Sequence, residues 1–183
     1  LLEWLRVRKK NVFVDLKFFD VPQTVKSAVA QLKHRDAQFV SVHGNDAILQ
    51  AAVENKNGLK ILAVTVLTSL DKKDLDDLGF KCDVEELVLS RAKRALQLGC
   101  DGVISSGLES SQLRSELGDN FLIVTPGIRP VENKDDQKRT VDVKTAFKNG
   151  ADYVVVGRPI LKDKNPAHKA EAFQREISSI FSV

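Results

Sequence analysis

Asp15-Leu16-Lys17-Phe18-Phe19-Asp20-Val21-Pro22-Gln23-Thr24 joins a strand pattern to a helix pattern without a spacer. Upstream, Val12–Lys17 (VFVDLK) is a short β-branched run that reads as a strand. Downstream, Pro22 suits a first helical turn, and Val25, Ala28, Val29 and Leu32 recur at helical spacing. A strand that ends on charged side chains and passes at once into a helix is the βα unit of a parallel sheet.

The unit recurs along the chain. Further strand-like runs are Phe39–His43, Ile61–Thr65, Asp101–Ser106, Phe121–Pro126 and Tyr153–Arg158. Most are nearly continuous apolar runs, as expected for strands covered on both faces. Val84, Leu87, Val88, Ala92, Ala95 and Leu96 form a helical face, with Asp83 and Glu86 as a cap-like pair before it and Gly99 after it. Val143, Ala146 and Phe147 lead to a second terminator, Gly150. The last helix starts near Pro166 and is expected to bury Phe173, Ile177 and Phe181. Shorter helices follow Gly44 and Ser110, and Leu1–Lys9 reads as a helix ahead of the first strand.

Six strand-then-helix units predict an α/β fold, either doubly wound or closed. Two observations favour the TIM (β/α)₈ barrel. Lys17, His43, Thr65, Ser106, Thr125 and Arg158 put a polar group at the C-terminal end of each strand, and a barrel gathers those ends around one mouth. No G-x-G-x-x-G follows the first strand, which removes the usual support for a dinucleotide fold. A whole barrel has eight units in about 250 residues. About six are therefore expected here, in a single domain over residues 1–183, with the N-terminal units missing. The chain has no methionine and starts at Leu1, which fits a piece of a longer polypeptide or methionines dropped from the written sequence.

Composition bounds the function. With 183 residues, 43% of them hydrophobic, the chain suffices for one packed domain. A net charge of +3, with both signs interspersed, gives no stripe for nucleic acid. Cys82 and Cys100 form no C-x-x-C and read as reduced thiols. No run is apolar enough for a membrane span and no signal peptide is visible, so the cytoplasm is the expected compartment.

Asp15 and Lys17, two apart on a strand, are expected to share a face. A carboxylate beside an ammonium holds the lysine charged, and a charged lysine in a dry site can protonate a carbanion. A structural ion pair is the alternative for Asp15 and Lys17, and a cap on the following helix is the alternative for Asp20. Gly157-Arg158-Pro159 after the last strand, and Arg129 in Thr125-Pro126-Gly127-Ile128-Arg129-Pro130, predict a phosphate site built on strand ends. Val131–Arg139 is a polar loop, either solvated or folding over a substrate. His43 reads as structural rather than as a base, and no metal-ligand spacing occurs.

The run Asp15–Thr24 resembles the signature of the orotidine 5'-monophosphate decarboxylase family, Asp-x-Lys-x-x-Asp leading into Pro-x-Thr. Ala63–Ser69, Asp101–Glu109, Val124–Pro130 and Asp152–Pro159 match further family segments in order. The resemblance implies cofactor-free decarboxylation of orotidine 5'-monophosphate to UMP and carbon dioxide, a carboxy-lyase step of pyrimidine synthesis. It implies Lys17 as the residue that protonates C6, Asp15 as the carboxylate near the departing group, and Asp20 as a carboxylate lent to the neighbouring subunit of a homodimer. It further implies substrate contacts from Thr24, Thr68 and Ser106, and a phosphate set of Arg129, Gln137, Gly157 and Arg158. A strand-one aspartate and a strand-two lysine of the family have no counterpart in this sequence. Two rivals share the barrel: a magnesium-dependent sugar-phosphate decarboxylase or aldolase, and a non-catalytic phosphate-ligand-binding barrel. The Thr-Pro-Gly-Ile-Arg and Asp-Gln-x-Arg segments favour the nucleotide enzyme.

Overall fold

The computed structural model describes residues 1–32, 35–129 and 138–182. Its elements run α1 (Leu2–Val7), β1 (Val12–Phe18), α2 (Pro22–Leu32), β2 (Ala37–His43), α3 (Asp46–Val53), β3 (Lys60–Val64), α4 (Lys72–Asp77), α5 (Val84–Gln97), β4 (Gly102–Ile104), α6 (Ser110–Leu117), β5 (Leu122–Thr125), α7 (Val143–Lys148), β6 (Tyr153–Val154), α8 (Arg158–Leu161) and α9 (Pro166–Phe181). The chain divides into two compact units, the first Leu1–Thr65, Leu87–Ile104 and Asn120–Leu122, the second Val66–Glu86, Ser105–Asp119 and Ile123–Val183.

In the first unit β1 to β4 pair in sequence order, every pair parallel. The four central residues of β2, Phe39–Val42, are buried, as a strand covered on both faces requires. Val25 and Val29 of α2, Val40 and Val42 of β2, Ile48 and Ala52 of α3, Ile61 of β3 and Ala95 of α5 fill one core. Each buried Val, Leu or Ile stabilises it by about 1.5–3 kcal/mol. Gly102 starts β4 because nothing larger fits: a Cβ there would lie 2.3 Å from the Leu122 carbonyl oxygen. The preceding Asp101 accepts the Ile61 N–H at 2.9 Å and pairs with Lys56 at 3.0 Å. It thereby closes the start of a parallel ladder, where a backbone donor would otherwise lack a partner.

The second unit repeats that device. Asp152, just before β6, accepts the Ile123 N–H and the Arg114 guanidinium, both at 2.7 Å. β5 and β6 pair in parallel. Ile128, Val143, Ala146 and Ala151 form a buried cluster, with Phe173 and Ile177 of α9 half-buried against it. The expectation that α9 buries Phe181 is corrected. Phe181 is 65% exposed, because it is the helix's final residue and no further turn covers it; its ring meets Phe147 edge-on at 5.3 Å. Two short helices lie outside the sequence reading, α4 and α8. The first starts on a reciprocal capping box between Asp71 and Asp74. Among the described residues no helix is long and apolar enough to cross a membrane.

Candidate active site

The run from Asp15 to Asp20 does not continue β1 as a regular strand. Val14 pairs with Val40, and the next rung joins Phe18 to Val42, so β1 spends four steps where β2 spends two. The excess is a bulge at Asp15–Lys17. Within it Lys17 takes a φ of 50°. The other non-glycine residues with positive φ among the described ones, Lys9, Asp36 and Asn57, all sit in turns.

The bulge aims two charges at each other. Lys17 Nζ lies 2.7 Å from Asp15 Oδ1, with the side chains 39% and 37% exposed. They meet as expected, but through the bulge rather than through plain strand alternation. Ion pairs this exposed stabilise a fold by only about 0–1 kcal/mol. A strained backbone holding such a pair is thus not explained by stability, and strained residues cluster at functional sites. Ser41, which the sequence reading passed over, lies beneath the pair: it accepts the Lys17 backbone N–H at 2.9 Å and donates to Asp15 Oδ1 at 2.7 Å.

Asp20 is exposed and accepts the N–H of the adjacent Val21 at 2.7 Å. The first-turn N–H groups of α2, from Thr24 and Val25, go to the Val21 carbonyl. Asp20 therefore stands outside the cap it was weighed against. Thr24 is exposed in the first turn of α2.

His43 ends β2, half-buried, its ring edge-on to Phe19 at 5.1 Å. With Phe19, Asn45, Ser90, Arg91 and Arg94 it lines a cavity of about 430 Å³. Burial, and next the Arg91 charge, push its pKa below the ordinary 6.5. Among the described residues its buried Nδ1 has no hydrogen-bond partner. The unfolded chain therefore binds this proton more readily than the folded one, and stability falls as pH drops below about 6.5. The melting temperature is expected to decline from pH 7 to pH 5, and His43→Gln should flatten that slope. An unchanged slope in the variant would remove His43 as its cause.

In the second unit, Thr68 is buried and its carbonyl accepts the N–H groups of Lys138 at 3.1 Å and Arg139 at 3.2 Å. Ser106 is fully buried; its Oγ accepts the Leu108 N–H at 3.2 Å, and its carbonyl accepts the Ser110 hydroxyl at 3.1 Å. Arg129, 8% exposed, donates from Nη1 to the Ile128 carbonyl at 2.8 Å. Gly157 is the N-cap of α8 and Arg158 its first residue, half-buried. Among the described residues, its chain neighbours aside, a Cβ on Gly157 would meet no atom within 4 Å, so packing against them does not demand glycine there. Gln137 lies outside the described residues.

Two further residues in this unit belong to sequence motifs that give them no evident role. Glu109, 2% exposed, pairs with Arg139, 7% exposed, at 2.6 Å. Arg139 also donates to the carbonyls of Val66, Leu67 and Leu70. Beside it Lys138 pairs with Asp71 and Asp74, each at 2.8 Å. The Lys138 ammonium, with an N–H from Asp74 second, holds the Asp71 carboxyl down at about 2. Among the described residues no group of three or more His, Cys, Asp or Glu is placed to hold a metal ion.

Comparison with known proteins gives the relationship. Residues 1–173 match the model of the orotidine 5'-phosphate decarboxylase / HUMPS family. An orotidine 5'-phosphate decarboxylase of Methylococcus capsulatus is 60% identical over 185 residues, covering 100% of this chain and 76% of that protein. One from Nitrobacter winogradskyi is 46% identical, over 92% of this chain and 72% of its own length. The solved orotidine 5'-phosphate decarboxylase of Lactobacillus acidophilus superposes with a TM-score of 0.81 at 35% identity, covering 96% of this chain and 79% of that one. The fold class is therefore the (β/α)₈ barrel, represented here by part of a barrel. With a matching family model over nearly all its residues and a relative 60% identical along its whole length, this chain belongs to the orotidine 5'-phosphate decarboxylase / HUMPS family.

Proposed function

We propose that this chain is a carboxy-lyase that converts orotidine 5'-monophosphate to UMP and carbon dioxide in pyrimidine biosynthesis. The observation that carries this reading is its 60% identity, across the full chain, to a protein of that activity. The Asp15–Lys17 pair supplies the chemistry the reaction needs. Loss of carbon dioxide leaves an electron pair on C6 in the plane of the ring, where the π system cannot delocalise it. A fixed cation must stabilise that charge, and a proton must then reach C6. We assign both tasks to Lys17, with Asp15 holding its ammonium beside the departing carboxylate.

Thr24, Thr68 and Ser106 are assigned to the nucleoside, and Arg129, Gln137, Gly157 and Arg158 to the phosphate. Phosphate contacts remote from C6 can lower the barrier by driving closure around the ring. No cofactor or metal takes part in this scheme. The cytoplasm is the proposed compartment, in keeping with the free thiols of Cys82 and Cys100. Burial, with the Asp101 charge second, pushes the Cys100 thiol up to about 12, so it stays inert.

The test is turnover of orotidine 5'-monophosphate after exhaustive treatment with a chelator. Full activity is expected. A requirement for added magnesium, with turnover of a sugar phosphate instead, would overturn the reading.

The active assembly is proposed to be a homodimer in which Asp20 completes the partner's site. Its exposure at the end of the bulged strand suits that task. Lys17→Ala and Asp20→Ala subunits, each inactive alone, should regain about a quarter of parental activity when mixed equally. Half the dimers are then mixed, and each has one intact site of two. No recovery in a mixture shown to exchange subunits would refute the sharing.

A further inference from the structure

We infer that Ser41 is a positioning residue for decarboxylation: its hydroxyl locks the Asp15–Lys17 pair into working geometry. The inference rests on the proposed role of Lys17.

The bulge in β1 takes the Lys17 N–H out of the regular ladder, since no rung lies between Val14↔Val40 and Phe18↔Val42. A buried backbone donor needs a partner. Ser41 of β2 provides it, with Lys17 N to Ser41 Oγ at 2.9 Å. A serine hydroxyl has one proton to give. Ser41 gives it to Asp15 Oδ1 at 2.7 Å, the same oxygen that receives Lys17 Nζ at 2.7 Å. One carboxylate oxygen is therefore held between an ammonium and a hydroxyl, and that hydroxyl is itself oriented by the backbone of the ammonium's own residue.

Ser41 is fully buried, and β2 is paired on both sides, to β1 and to β3. Its Oγ is thus a fixed point against which the two charges register. Lys17 adopts a φ of 50°, a conformation that side chains other than glycine take up only where the surroundings impose it. The hydrogen bond to Ser41 restrains that backbone directly from the side chain of a neighbouring strand. Without it the bulge can relax, and an ammonium displaced by an ångström from the developing electron pair loses most of its benefit.

The experiment compares Ser41→Ala, Ser41→Thr and Lys17→Ala in the full chain, measuring kcat and KM for orotidine 5'-monophosphate, UMP affinity and melting temperature. Ser41→Ala should lower kcat by about 10- to 100-fold, the scale of one lost hydrogen bond to a charged group. KM and UMP affinity should stay near parental. Ser41→Thr, which keeps the hydroxyl, should recover most of kcat.

A parental kcat in Ser41→Ala, or a kcat loss matched by an equal loss of UMP affinity, overturns the inference. So does a threonine variant that folds normally and is as slow as the alanine one. If Ser41→Ala does not fold, Ser41→Cys takes its place with a smaller kcat loss, and a parental rate there is equally fatal. If Lys17→Ala keeps its turnover, the underlying catalytic reading has failed. If Lys17→Ala is dead while Ser41→Ala is unimpaired, only the inference about Ser41 has failed.

Discussion

Lys17→Ala is expected to lower kcat by about 10⁴-fold or more while leaving UMP affinity within about tenfold of parental. General acid catalysis contributes about 10²–10⁴, and a preorganised charge facing a developing anion about 10²–10³. We assign both terms to this one side chain, whose ammonium is hydrogen-bonded to Asp15 at 2.7 Å. The UMP product carries no charge at C6, so its binding depends chiefly on the phosphate and ribose contacts, which the substitution leaves in place. Turnover within about tenfold of parental would end the assignment.

A companion variant probes the strain. Alanine keeps a Cβ at a φ of 50° and glycine does not. Lys17→Gly should therefore be about 1 kcal/mol more stable than Lys17→Ala by denaturant midpoint, and equally inactive. A less stable glycine variant would show that the bulge is not strained at Lys17.

The fold was legible from the sequence because its strands are short β-branched runs bounded by helical faces. Val12–Lys17, Phe39–His43 and Ile61–Thr65 became β1, β2 and β3 with boundaries moved by a residue or two. Asp83 and Gly99 bracket α5 as their residue types suggest, with Asp83 Oδ1 accepting the Glu86 N–H at 2.8 Å. The Asp15–Lys17 pairing was also legible, since its two members lie two residues apart in one strand, although the bulge rather than plain alternation brings them together. What escaped depends on partners distant in sequence. The bulge exists only in the register against β2, so nothing in Asp-Leu-Lys itself reveals it. Ser41 looked like any small residue of a buried strand until that register put it under the bulge. The α4 capping box hides in Leu70–Asp77, where six of eight residues are charged and four of those are aspartates able to cap. Glu109 and Arg139 are thirty residues apart, and a charge in a polar stretch reads as solvated unless burial is known.

That buried pair sets the largest expected effect on stability. Glu109→Gln keeps the shape of the side chain but removes its charge, leaving Arg139 buried with three carbonyl acceptors and no carboxylate. Removing one partner of a buried ion pair typically costs about 3–5 kcal/mol, because the survivor stays desolvated and uncompensated. The carbonyls of Val66, Leu67 and Leu70 still solvate part of the guanidinium, so the lower end, about 3 kcal/mol, is expected here. Against a typical total of about 5–15 kcal/mol this is a large share, and the denaturant midpoint should fall accordingly. Replacing both partners, as Glu109→Leu with Arg139→Met, should cost much less than the sum of the two single changes, since no orphaned charge remains. The cost should also reach the substrate. Arg139 holds the segment carrying Thr68, and Glu109 follows Ser106 through a backbone hydrogen bond, so the pair joins two proposed nucleoside contacts. KM for orotidine 5'-monophosphate should therefore rise in Glu109→Gln well below its unfolding temperature, more than kcat falls. A Glu109→Gln variant within about 0.5 kcal/mol of parental stability, as an ordinary surface change would be, would mean that the pair is not what fastens these segments together.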